Sequence, residues 1–181
     1  MKKTPHSSVR SNLVRIAKIH VVIGIFLVIQ IMVYDAGKLI TPEAVLKRWI
    51  VTSIFVLAAL IVWYLARLNN SAVVLRNLTW LLIAADILLA SFSVYTQRGM
   101  ASRAVLLFIL PILTAAVLQR KGPIYLVSAL SVIAYSVTAI AYFVLNFNEG
   151  YKLELYGEIS FYSAMLLTVG WLTWALVRKN R

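Results

Sequence analysis

Asp86 sits inside the apolar run Leu78 to Val94, and it is the one carboxylate of six placed in such a run. An ionisable group in hydrocarbon costs a few kcal/mol or more, so it faces a bundle interior or a polar cavity. It lies 10 residues after Arg76, about 15 Å along a helix and close to a bilayer midplane. Arg76 is therefore too distant along that helix to pair with it. Asp86 must find a partner on another helix or carry a proton. The chemistry open to it is a proton-linked switch, or an acceptor site for a polar or cationic ligand. Interhelical hydrogen bonding that serves packing alone fits the same residue.

Other polar side chains share its depth. Asp86, Ala90 and Ser93 fall on one helical face. Ser128, Ser131, Tyr135 and Tyr142 follow helical spacing and make the most polar face in the chain. A phenol near midplane needs a hydrogen-bond partner, and Asp86 is the natural acceptor for Tyr135. Pro111 removes one backbone bond, freeing the Leu107 carbonyl, and Thr114 stands close enough in sequence to help re-satisfy it. A proline inside a bundle can act as a hinge or open a cavity. Arg98 and Arg103 flank a turn at Gly99 and could meet an anion or lipid headgroups. The ligand or switch candidates are thus Asp86, Ser93, Pro111, Ser131 and Tyr135, with Arg98 and Arg103 as loop candidates.

Several chemistries find no residues. There is no cysteine, and the two histidines, His6 and His20, are far apart in sequence. A metal site is not expected, nor is a cofactor. No Ser/His/Asp set, paired carboxylates, phosphate-binding glycine loop or H-E-x-x-H occurs. The chain is not expected to be an enzyme.

The elements that must position these residues are membrane helices. The 181 residues are 62% hydrophobic and only 13% charged, against about 25% charged in soluble domains. Six runs come near the roughly 17–25 residues a crossing requires: Ile16–Tyr34, Trp49–Leu65, Leu75–Tyr95, Ala104–Leu118, Ile124–Leu145 and Ile159–Val177. The fourth is short. It must reach back through the Arg98–Arg103 turn or tilt less than the others. The expected fold is all-α, a six-transmembrane-helix bundle over residues 16–178. A cytoplasmic tail precedes it at 1–15, and a cytoplasmic stub follows at 179–181. Met1–Asn12 is polar and expected to be frayed, with Leu13–Lys18 a basic lead-in helix. Turns are expected at Gly37 with Pro42, at Asn69-Asn70-Ser71, at Gly122-Pro123 and over Asn146–Gly157.

The net charge of +12 follows the apolar runs rather than forming a nucleic-acid patch. With the N-terminus inside, 12 basic residues fall on the cytoplasmic side and 6 outside. That places both termini in the cytoplasm by the positive-inside rule. The expected location is the inner (plasma) membrane, with the lipid bilayer as partner and no nucleic acid.

The stretch DILLASFSVYTQRGMAS from Asp86 to Ser102, followed by Pro111 within FILPILTAAVLQRKGP, resembles the membrane-embedded sensor region of six-helix bacterial sensor histidine kinases of the pilus-regulating kind. The matching positions are Asp86, Tyr95-Thr96, Gly99 with Ala101-Ser102, Pro111 with Ala115-Ala116, Arg120-Lys121 and Tyr135. Arg15 and Lys18 fit the family's basic lead-in. The likeness spans roughly Ile16 to Arg178 and is distinctive only from about Asp86 to Tyr135. Arg98 stands where the family commonly has glycine, and Arg103 where it has proline, so a differently shaped turn is expected. After Arg178 a kinase would continue into a coiled coil, a phosphoacceptor helix and an ATP-binding domain. The resemblance therefore implies a stand-alone or excised sensor module with a histidine-kinase-type signalling partner, and homodimerisation.

Two other classes compete. One is the substrate-binding membrane subunit of an energy-coupling-factor-type importer. Such subunits also have about six helices, but Ile19–Tyr34 lacks their alanine-spaced-by-four docking pattern. The other is a small structural membrane protein whose buried polar groups only join helices.

Overall fold

A computed structural model describes residues 5–97, 99, 102–146 and 152–179. The described chain is helical apart from short turns. The long helices are α1 (Pro5–Ala36), α2 (Pro42–Leu68) and α3 (Ala72–Thr96). After them come a short α-helical stretch, α4 (Ile109–Ala115), then α5 (Lys121–Asn146) and α6 (Lys152–Lys179). Among the described residues five helices are long and apolar enough to cross a bilayer, and Arg103–Leu118 is a shorter apolar one. Large apolar side chains point outward, Phe26 and Val144 being 67% and 70% exposed, while Thr79, Asp86, Thr114, Ser128 and Ser131 are buried. The core is otherwise apolar, so it is the extent of exposed apolar surface that fits lipid as solvent. The chain is a helical, multi-pass membrane protein.

It folds as two compact units, Met1–Ala85 and Asp86–Arg181, and the division falls within α3. In the N-terminal unit α1 packs on α2. Helix α2 buries Val45, Thr52, Ala59 and Ala66 at seven-residue steps, with Phe55 and Val62 between them. This is the spacing of a left-handed helix pair. His20, buried on α1, bonds through Nδ1 to the Ile16 carbonyl at 2.9 Å, and its ring lies 5.6 Å from that of Phe55. A carbonyl only accepts, so the hydrogen is on Nδ1.

Local signals set the ends of α2. Thr41 is its N-cap and accepts from the Ala44 N–H at 3.3 Å, with Pro42 in the first turn. Glu43 pairs with Lys47 at 2.6 Å one turn on. At the other end Arg10 of α1 caps α2. Its Nε donates to the Ala66 carbonyl at 3.1 Å, Nη1 to Asn70 Oδ1 at 2.9 Å, and Nη2 to the Arg67 carbonyl. The Ala66 and Arg67 carbonyls are among those that a helix end leaves without intrahelical partners.

Several expected boundaries shift. Helix α1 runs unbroken from Pro5, so residues 5–12 of the expected frayed tail and the separate lead-in are one helix with the first crossing, while 1–4 lie outside the described residues. Left-handed backbone falls on Lys38 (φ 49) and Gln119 (φ 52) rather than on Gly37 or Gly122. Helix α5 begins at Lys121, so Gly122 and Pro123 lie in its first turn, where proline's missing N–H is harmless. Of the loop expected over Asn146–Gly157, Asn146 ends α5 and 152–157 belong to α6, while 147–151 lie outside the described residues.

The fourth segment explains its own shortness. Ser102 caps it by accepting from the Ala104 N–H at 3.0 Å. A 3₁₀ run, Arg103–Phe108, precedes α4, and a 3₁₀ turn, Ala116–Leu118, follows it. A 3₁₀ helix rises about 2.0 Å per residue, so the segment extends roughly 28 Å, against about 24 Å if wholly α-helical. Stretching the backbone thus nearly matches the hydrocarbon thickness of about 30 Å.

Candidate functional site

The C-terminal unit holds the polar core. Asp86 enters it from α3 with 1% exposure, and Thr114 from α4 with none. Thr114 Oγ1 lies 2.9 Å from Asp86 Oδ2 and 2.9 Å from the Leu110 carbonyl. A hydroxyl carries one hydrogen and accepts through its lone pairs. With Asp86 ionised, that hydrogen goes to Oδ2. With a proton on Oδ2, Asp86 donates to Thr114, and Thr114 donates on to Leu110. One hydroxyl rotation therefore serves both protonation states of the carboxyl without moving a heavy atom.

Pro111 is buried and stands third in α4, within its first turn. It is not a mid-helix break. The 3₁₀ run before it takes up the disturbance, and the Ile109 N–H points to the carbonyls of Leu106 and Leu107. The Leu107 carbonyl is thus served by the backbone. Thr114, expected to help there, bonds to Leu110 and Asp86 instead.

Ser131 and Tyr135 lie one turn apart on α5, both with 0% exposure. Neither hydroxyl has a hydrogen-bond partner among the described residues. Tyr135 does not bond to Asp86, which corrects the pairing expected from depth alone. Its ring is held edge-on by Phe108 (6.2 Å, 72°) and by Tyr162 of α6 (5.6 Å, 76°). Ser128, on the same face, donates back to the Ile124 carbonyl at 2.9 Å. There α5 meets α6 closely: a Cβ built on Gly170 would overlap the Ser128 hydroxyl and lie 2.9 Å from its Cβ. An unsatisfied buried hydroxyl costs about 1–3 kcal/mol, so Ser131 and Tyr135 are held by the packing around them.

Ala90 is fully buried beside Asp86's face, while Ser93 is half-buried. Arg103 is exposed at the start of the fourth segment, and Arg98 lies outside the described residues. Gly99 has φ 59, and a Cβ there would fall 2.6 Å from the Tyr142 ring. That ring meets Tyr95 edge-on at 5.7 Å. Among the described residues no three His, Cys, Asp or Glu side chains gather as a metal site would require. Sequence reasoning missed Thr114 as the direct partner of Asp86. The signal was present, since Thr114 and Arg103 are the only side chains of Arg103–Leu118 with polar groups.

Comparison with protein-family models, curated proteins and solved structures finds no match to the chain.

Proposed function

We propose that the chain is a membrane-embedded sensor or regulatory module of six crossings in an inner (plasma) membrane, with both termini cytoplasmic. A stimulus in or near the bilayer shifts the polar core of the C-terminal unit. Helix α6, which packs on α5, passes that shift to a signalling partner. The observation that carries this reading is the Asp86–Thr114 hydrogen bond, made by a threonine with a second acceptor at the same distance. A bundle that responds to a stimulus needs two arrangements of similar energy, and this hydroxyl has two. The Ser131 and Tyr135 hydroxyls, without a partner among the described residues, add groups that another arrangement would satisfy.

Crosslinked capture of the tagged chain from its native membrane, with mass spectrometry of what it brings down, tests the reading. A kinase or response-regulator component is the expected recovery, reduced or altered by Asp86→Asn. ATPase subunits with a coupling membrane protein would replace this reading with solute uptake.

A further inference from the structure

The 3₁₀ run Arg103–Phe108 is six residues long, where runs beyond about 3–4 are uncommon. Burial follows its turn. Ser102, Val105 and Phe108 are buried while Arg103 and Leu106 are exposed, each set at steps of three. From Pro111 onward the spacing is α-helical, with Pro111, Ile112, Thr114 and Ala115 buried and Leu113 exposed.

Local propensity favours α here, since Arg, Ala and Leu are strong helix formers. Pro111 opposes it. In an α-helix the Leu107 carbonyl would accept from the N–H of residue 111, which proline lacks, and the proline ring would press on that carbonyl. In the 3₁₀ form the Ile109 N–H reaches the Leu106 and Leu107 carbonyls instead.

The two forms differ in length and aim. A 3₁₀ helix turns about 120° and rises about 2.0 Å per residue, an α-helix about 100° and 1.5 Å. The Phe108 ring is held against Tyr135. With Phe108 fixed, passage to α shortens the run by about 3 Å and swings Arg103 by about 100° toward the buried side. Val105 turns outward in exchange. Leu106 and Leu113, 54% and 45% exposed, give the segment a lipid-facing side. The long apolar helices have 25 to 28 residues and exceed the hydrocarbon thickness of about 30 Å. Arg103–Leu118 spans it only in its stretched form.

We infer that Arg103–Phe108 is a convertible helix whose form follows bilayer thickness: a thick bilayer holds it 3₁₀ and long, and a thin one lets it become α and short, turning Arg103 inward. A mismatch in hydrophobic length carries a modest cost per ångström, which biases two forms of similar energy. This rests on Arg103–Leu118 being a crossing and on no signalling partner.

The test is 15N NMR of the full chain in aligned bilayers, reading N–H dipolar couplings residue by residue along 103–118. In dierucoyl phosphatidylcholine, a thick bilayer, couplings should repeat every third residue from 103 to 108. In dimyristoleoyl phosphatidylcholine, a thin one, the repeat should move toward the α-helical value of about 3.6. Pro111→Ala restores the N–H and should give the α pattern in both lipids. Arg103→Leu, which turns no charge inward, should shift the pattern part of the way. An α pattern for the wild type in the thick bilayer would overturn the inference, as would a three-residue repeat that does not change between the lipids. That comparison needs no variant. The same couplings report tilt, and a segment lying flat on the membrane would overturn the crossing itself.

Discussion

Asp86 of α3 and Thr114 of α4 meet at 2.9 Å, and the same threonine oxygen lies 2.9 Å from the Leu110 carbonyl of its own helix. Asp86 is thereby tied to a second helix through a group that can change its donor direction. Thr114→Val keeps the shape and removes the link, and a cost of about 1–2 kcal/mol is expected. A double-mutant cycle with Asp86→Ala should show coupling of about 0.6–1.7 kcal/mol, the range of interhelical bonds in membranes. Reversible unfolding in bicelles measures it. Strictly additive losses would mean that the two side chains do not support one another.

Ser131 and Tyr135 should behave in the opposite way. Their hydroxyls are buried with no partner among the described residues, so Ser131→Ala and Tyr135→Phe remove a desolvation cost and leave the packing intact. Each should stabilise the protein by about 1 kcal/mol. If these residues serve the switch, the same variants should impair signalling while raising stability, the pattern expected where function holds strained groups in place. Loss of stability on either substitution would show that the hydroxyl makes a favourable bond.

Much of the fold was legible because membrane helices announce themselves by length and hydropathy. Each of the six apolar runs is helical in the structure, and buried Asp86, Ser131 and Tyr135 stood out as polar residues at mid-helix. Helix ends were less legible. Leu13 and Ala17 are fully buried and carry α1 back past its apolar run toward Arg10, which polarity alone had marked as tail. The Asp86 partner was missed because depth pointed to Tyr135, whereas the backbone stretch before Pro111 and the direction of each side chain decide what meets. The 3₁₀ runs left no clear mark, since their sequence, RAVLLF, reads as ordinary helix.

The close approach of α6 to α5 makes a sharp prediction at Gly170. Any Cβ there collides with Ser128, so Gly170→Ala should destabilise the C-terminal unit by about 1–3 kcal/mol. Adding Ser128→Gly should recover most of that loss, because it removes the opposing atoms. Thermal unfolding of the single and double variants checks it. Failure of the second substitution to help would place the strain elsewhere.

Arg10 should be felt at the far end of another helix. Arg10→Gln removes the guanidinium that serves Ala66, Arg67 and Asn70. A loss of about 1 kcal/mol is expected, with faster amide exchange confined to the last turn of α2 and the first turns of α1. Exchange that rises evenly along α1, or not at all, would contradict the capping role.

The proposed switch turns on the hydrogen bond between the Asp86 carboxyl and Thr114. Infrared difference spectroscopy of the protein in lipid bilayers, taken as pH is stepped across the range in which it stays folded, reads the carboxyl directly. A carboxyl band that disappears in Asp86→Asn and moves in frequency in Thr114→Val is expected. A spectrum with no band sensitive to Asp86→Asn, or one untouched by Thr114→Val, would contradict it.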